Sequence, residues 1–471
     1  MTDNDAEETL SRRKVLALAG AGITGVAGCS SGDGTDPTTT GTTAETTFLG
    51  TTTATTTEET TTATTTTEET TTEETTEETT EETTEETTEE TTEEPADFEV
   101  PKGGAYFDME DGFAAVGNWV EDATVHKVTE PTREALDDAV NGAGKRIVVF
   151  ETSGTIDLRE QRFNVDTDNV WIAGQTAPSP GITLVRGGFW VNGDNCVVQH
   201  LRVRPGDAGN SSNWEPDTIR TADYSENNIV DHCTATWSVD ENVSPGYDTT
   251  KTTFANCLVA EPLDEASHHK GSHCYNMLVG NGATEVAILG NVFANSYSRN
   301  PRLKAETESA VVNNLMYHFD EAAILDDSTV SSIVGNSFRR VDVGDANVEG
   351  GKGYLSDNVT DPDTPMSADF EEQGRTVWPG SLDAMAGADA GGHALTYAGA
   401  RPAERTDHDS RVIDNVRSGA GETIDSQSEV GGYPDLAVNT HEVSVPDSDR
   451  KDWLAAWAVA VEEEDVSPPS A

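Results

Sequence analysis

The sequence predicts an all-β fold, a right-handed single-stranded parallel β-helix with long loops on one side. Three observations lead there. Short apolar strands recur at 286–293, 310–317, 332–338 and 355–359, each with an asparagine near its middle or end. Those asparagines are Asn291, Asn314, Asn336 and Asn358, spaced 23, 22 and 22 residues apart. Earlier runs at 195–200, 228–233 and 253–257 share the shape at wider spacing. A coil of this length cannot bury its apolar face alone, so coils stack and like residues form ladders. Asparagine suits the bend between strands because it tolerates left-handed backbone angles and can hydrogen-bond along a ladder. The wide spacing between 200 and 256 implies inserted loops, which on a solenoid map to the binding face. An antiparallel sandwich with chance asparagine spacing is the alternative.

The chain begins with an address. Ser11-Arg12-Arg13-Lys14 is a twin-arginine pattern, and the apolar run at 17–28 behind it is too short to cross a bilayer, which takes roughly 20 residues. Residues 1–29 therefore read as an export signal. Val26-Ala27-Gly28-Cys29 reads as a lipobox that leaves Cys29 lipidated, with a plain cleavage site beside an incidental cysteine as the alternative. The expected location is extracellular, with the lipid as the only membrane contact.

Residues 30–95 are threonine-rich and end in a Glu-Glu-Thr-Thr repeat. They lack the apolar content to bury anything and read as a self-repelling disordered stalk with sites for O-glycosylation. The folded domain is assigned to 96–465.

Charge narrows the partners. The formal net charge is −57, and the first 95 residues hold only 23 of the 86 acids and 3 of the 29 bases, so the remainder still carries −37. A folded domain this acidic reads as a surface adapted to high salt, where the Debye length shrinks to about 3 Å at 1 M, and an archaeal halophile is the inference. Nucleic acid is excluded as a partner, since phosphate binding needs a basic face. The chain is expected to act as a monomer. Cys196, Cys233, Cys257 and Cys274 lie inside apolar strand-like runs without metal spacing, and read as buried thiols.

Against that background Ser298-Arg299-Asn300-Pro301-Arg302-Leu303-Lys304 places three cations in seven residues. Such a cluster draws in an anion or is neutralised by nearby acids. It follows an Asn-bearing strand and comes after acidic residues with the chemistry to hold a divalent cation.

At this point the residues resemble a family. Trp171-Ile172-Ala173-Gly174-Gln175-Thr176-Ala177-Pro178, Ile229-Val230-Asp231-His232-Cys233 and Ser298-Arg299-Asn300-Pro301-Arg302 together resemble pectate lyases of the first polysaccharide-lyase family. Arg411-Val412-Ile413-Asp414-Asn415-Val416-Arg417 and Val430-Gly431-Gly432-Tyr433-Pro434 look like the C-terminal part of its extracellular members. The resemblance runs from about 100 to 440. It implies a right-handed parallel β-helix, Ca2+, and cleavage of polygalacturonate by β-elimination.

By that resemblance Asp217 and Asp240 match calcium ligands, and Glu215 occupies the position of a further acid found in some members. Where many members carry another aspartate this chain has Ser244, for which Glu241 compensates. Arg299 matches the proton-abstracting arginine. Arg302, Lys304 and, more loosely, Lys270 match cations that bind the uronate chain. The chemistry asks for this set: a cation to neutralise the uronate carboxylate, a base for the C5 proton, and a donor for the leaving oxygen. A guanidinium is an awkward base because its pKa exceeds about 12, which favours alkaline activity. His232 reads as a ladder or packing residue. Trp190, Trp214 and Trp237 have the rings to stack on sugars, but packing is the simpler reading.

Three other functions stay open on these residues. A hydrolase of the same fold would use clustered aspartates, for which Asp326-Asp327 is the adjacent pair near the repeats. A calcium-free pectin lyase would be expected to lack the acid at Asp217. A non-catalytic, anchored polysaccharide-binding β-helix fits the lipobox and stalk equally well.

Overall fold

The computed structural model describes residues 104–209, 214–341, 346–361 and 366–469. The twin-arginine segment, Cys29 and the 30–95 stretch lie outside the described residues. The described chain winds as a parallel β-helix, and every ladder between its strands is parallel.

Each coil contributes one strand to each of three sheets. The first sheet runs from Thr124–Val128 and Arg146–Phe150 through Glu226–Asp231 and Thr284–Leu289 to Val330–Val334. The second runs from Phe163–Val165 through Phe189–Val191, Ile219–Thr221, Glu241–Ser244 and Tyr275–Val279 to Arg302–Leu303 and Ala323–Leu325. The third has nine strands, Gly154–Asp157 to Val359–Thr360. The long strand Ala346–Ser356 serves both the first and second sheets, with a register shift between Glu349 and Lys352.

In-register pairing turns one apolar position per coil into a continuous interior line. Val148, Ile172, Val198, Val230, Phe254, Ile288, Val311 and Ile333 pair in succession and are buried together. At the N-terminal end the helix Arg133–Val140 inserts Leu136, Ala139 and Val140 into this core. Its first turn is capped by Thr132, which accepts from the Ala135 N–H at 3.2 Å.

The asparagine ladder forms as read. Asn291 Nδ2 donates to Asn314 Oδ1 at 2.9 Å, Asn314 Nδ2 to Asn336 Oδ1 at 3.0 Å, and Asn336 Nδ2 to Asn358 Oδ1 at 3.0 Å. The left-handed backbone falls not on these asparagines but on the residue before each: Gly290, Asn313, Gly335 and Asp357. The corner thus divides its work, one residue making the bend and the next supplying the buried amide.

Cys257 continues this line: its N–H donates to Asn291 Oδ1 at 2.8 Å, and its thiol lies 3.1 Å from the Ala255 carbonyl. All four domain cysteines are buried free thiols. Burial pushes Cys196 and Cys233 up to about 12.

The later coils carry strands Ala346–Ser356 and Met366–Glu372, and the helix Gly387–Tyr397 follows them. That helix and Asp407–Ser418 cover the third sheet, packing Ala394, Leu395, Val412, Ile413 and Val416 on Leu258, Val292 and Leu315. The helix Arg450–Glu462 covers the first sheet with Trp453, Leu454 and Trp457 against Trp171, Val197 and Ile229. Asp409 ties down its helix by pairing with the buried Arg202 at 2.8 Å and with Arg204. The second sheet has no such helix over it among the described residues, and the candidate site lies there. No helix among the described residues is long and apolar enough to cross a membrane.

Candidate active site

The solenoid register assembles residues far apart in sequence. Ile219 pairs with Val243, Glu241 with Tyr275, and Tyr275 bridges to Ser298. Residues 217, 241, 275 and 298 therefore fall on one line where the second sheet's strands begin, with Arg299 the next residue along.

Three carboxylates converge on this line. Oxygens of Asp217, Asp240 and Glu241 all lie within 4.8 Å of one another. Asp217 is 4% exposed and Glu241 3%. Burial, and then the charge of Glu241, push Asp217 up to about 7. Burial, and then the charge of Asp240, push Glu241 up to about 7. Asp240 is raised by burial and by Asp217. Crowded, desolvated carboxylates resist ionising together unless a cation joins them. An all-oxygen donor set of this kind fits a hard divalent cation such as calcium. Ser244 does not fill the gap as a ligand acid; its Oγ donates to Asp217 Oδ1 at 3.1 Å.

Arg299 enters the same cluster. It is 8% exposed, pairs with Glu241, and lays its guanidinium 3.9 Å from the centre of the Tyr275 ring. It is paired with an acid, as a plain structural arginine would be, but with one of the three carboxylates of the cluster. Arg302 is tied elsewhere, to Asp326 at 3.1 and 3.3 Å. That contact also engages half of the Asp326-Asp327 pair. Lys270 is exposed and Lys304 half-buried, and neither makes an ion pair among the described residues.

A histidine wall beside the acids was not read from the sequence. His273 Nε2 meets Asp240 Oδ1 at 2.8 Å, and its ring stacks on His268 at 3.6 Å and meets the Tyr275 ring edge-on at 4.3 Å. Burial, and then His273, lower His268 to about 4. Glu215 belongs to this wall, not to the carboxylate trio: it accepts from the His269 N–H at 2.8 Å and meets His269 Nδ1 at 2.8 Å. The signal was available in three histidines within six residues, at 268, 269 and 273, just ahead of a strand that begins with a tyrosine.

The remaining candidates lie apart. His232 stacks on His200 with centroids 5.0 Å apart and meets Asp231 at 3.0 Å, under the C-terminal helix. Trp237 is fully buried beneath Arg204, and Trp214 donates to the Gly206 carbonyl at 2.6 Å. Trp190 is half-buried on the second sheet.

Fold and cluster together define a parallel β-helix with a carboxylate-and-arginine centre on the sheet that no helix covers among the described residues. No family model matches the chain. It is 28% identical over 383 residues to a probable pectate lyase C of Neosartorya fischeri, covering 73% of this chain and 86% of that one. It is 29% identical over 357 residues to a probable pectate lyase C of Emericella nidulans, covering 70% and 80%. Among solved structures it is similar to a pectate lyase bound to hexasaccharide, at 15% identity and a TM-score of 0.48, covering 62% of this chain and 97% of that one. It is also similar to jun a 1, the major allergen of cedar pollen, at 15% identity and a TM-score of 0.47, covering 61% and 92%.

Proposed function

We propose that this protein is a polysaccharide lyase that cleaves polygalacturonate by β-elimination with the aid of calcium. The observation that carries the reading is the meeting of Asp217, Asp240 and Glu241 with Arg299 on one line of the second sheet. The pectate lyase relatives support the substrate class.

Asp217, Asp240 and Glu241 would hold the calcium, which when bound neutralises the uronate carboxylate and so acidifies the neighbouring C5 proton. Arg299 takes that proton. The C5–H electrons form the C4=C5 double bond, the C4–O4 bond breaks, and O4 leaves with a proton from water. Arg299 acts as a base only when its guanidinium is neutral. Lys270 and Lys304 are available for the substrate's other carboxylates; Arg302 has first to leave Asp326.

The proposal extends to the N-terminal region: export by the twin-arginine route, a lipid on Cys29, a stalk over 30–95, and work at high salt by a monomer. Incubation with polygalacturonate under saline, alkaline conditions tests the function. Ultraviolet absorbance of an unsaturated product, abolished by a chelator, is the expected result. Reducing ends without that absorbance would mean hydrolysis, and binding without product would mean a non-catalytic surface protein.

A further inference from the structure

The outer face of the second sheet carries a cationic feature that the elimination chemistry does not use. Pairing aligns Asn164, Trp190, Arg220 and Ser244 on successive coils. The indole of Trp190 is flanked by two guanidinium groups. That of Arg162, from the coil before, lies 4.2 Å from the ring centroid, and that of Arg220, from the coil after, lies 4.8 Å from it. Arg220 is neutralised by Asp223 at 2.8 Å and approached by Asp217 at 3.4 Å.

Arg162 differs. It is exposed and makes no ion pair among the described residues. Stacking on an indole uses the face of the guanidinium and leaves its in-plane N–H donors for a carboxylate, which they match two at a time. The stacking also limits the side-chain freedom that binding would otherwise have to remove.

Its position lines it up with the candidate active site. Adjacent strands lie about 4.8 Å apart, so Arg162 is two coils, about 10 Å, from the coil of Asp217. The Arg302 strand is five coils away, about 24 Å. An extended anionic chain lying along this sheet would pass both.

We propose that Arg162, held by Trp190, forms an outlying subsite that binds one carboxylate of a polyuronate chain along the second sheet. This inference rests on the polyuronate reading above. The subsite discriminates by length, because only an oligomer long enough to leave the carboxylate trio and reach two coils away gains the contact.

The test is equilibrium binding of saturated di- and hexagalacturonate, by calorimetry with calcium present, to Arg299→Ala, which leaves the ligands uncleaved, and to the double variant that adds Arg162→Gln. The hexamer-to-dimer affinity ratio should fall on the order of fivefold in the double variant, the value of one charge-assisted contact at a solvent-exposed site. A Trp190→Ala variant should lower the ratio in the same direction, because it removes the ring that holds the guanidinium. An unchanged ratio, or equal weakening for both lengths, would overturn the subsite and leave Arg162 as surface packing. Absence of unsaturated product from the wild-type protein would overturn the lyase reading instead, whatever the ratio shows.

Discussion

Replacing Asn314 with alanine removes an interior rung of the asparagine ladder, and the structure sets the cost. Asn314 Oδ1 accepts from the Asn291 N–H at 2.9 Å and from Asn291 Nδ2 at 2.9 Å. Its Nδ2 donates to the Ile288 carbonyl at 2.9 Å and to Asn336 Oδ1 at 3.0 Å. In the variant the buried Asn291 N–H loses its acceptor, which costs about 1–3 kcal/mol. The other lost bonds add about 1 kcal/mol each where no water can replace them. A total of about 4–6 kcal/mol follows. Asn358 ends the ladder and is half-buried, so water can take over its role toward Asn336, and Asn358→Ala should cost only about 1 kcal/mol. Urea unfolding at fixed high salt reads both values from the midpoint at unchanged slope. Equal costs for the two variants, or a cost below about 1 kcal/mol for Asn314→Ala, would refute the view that the ladder stabilises the stack through buried amide pairing.

The remaining predictions concern the site and its supports. Arg299→Ala should lower kcat on polygalacturonate by about 10²–10⁴-fold, the range for losing a general base, and a retained rate would remove Arg299 from that role. Tyr275→Leu should lower kcat by about 2- to 30-fold, because the ring face under Arg299 is lost, while Tyr275→Phe keeps most of the rate; equal losses would contradict a ring-face role. Stability should also fall on the alkaline side through His232. Burial alone would lower its pKa, but Asp231 and Glu462 raise it to about 9, with His200, His393 and Arg405 among the other charged or titratable neighbours. A histidine raised above its ordinary value of about 6.5 stabilises fully below that pH and loses the contribution as pH rises through 9. His232→Gln should flatten the fall in unfolding midpoint between these limits, and an unchanged slope would contradict the assignment.

What the sequence made legible follows from how the fold uses each residue. The asparagine ladder was readable because the later coils lack long insertions and the amides repeat at nearly constant spacing. The acids and Arg299 were readable through motif resemblance. The place of Tyr275 under Arg299, and of the histidines beside the acids, was not, because the coils that build the site differ in length. Glu241 follows its stacking partner Asp217 by 24 residues, whereas Tyr275 follows Glu241 by 34, so no fixed period connects them. The contact between Arg162 and Trp190 escaped for the same reason, being a matter of register between coils. The strand Ala346–Ser356 was hidden by Gly350 and Gly351, whose positive φ values mark the irregularity that lets one strand serve two sheets. The covering helices were missed because their apolar faces have meaning only against the outer faces of the first and third sheets.

The central claim is that Asp217, Asp240, Glu241 and Arg299 form one calcium-assisted elimination site. The most direct test is the initial rate of ultraviolet absorbance on polygalacturonate as a function of free calcium, for the wild-type protein and for Asp217→Asn and Asp240→Asn. We expect no rate in chelator, saturation with calcium in the wild type, and a half-saturating concentration raised at least about tenfold in each variant. Full rate in chelator, or superimposable calcium curves for all three proteins, would contradict it.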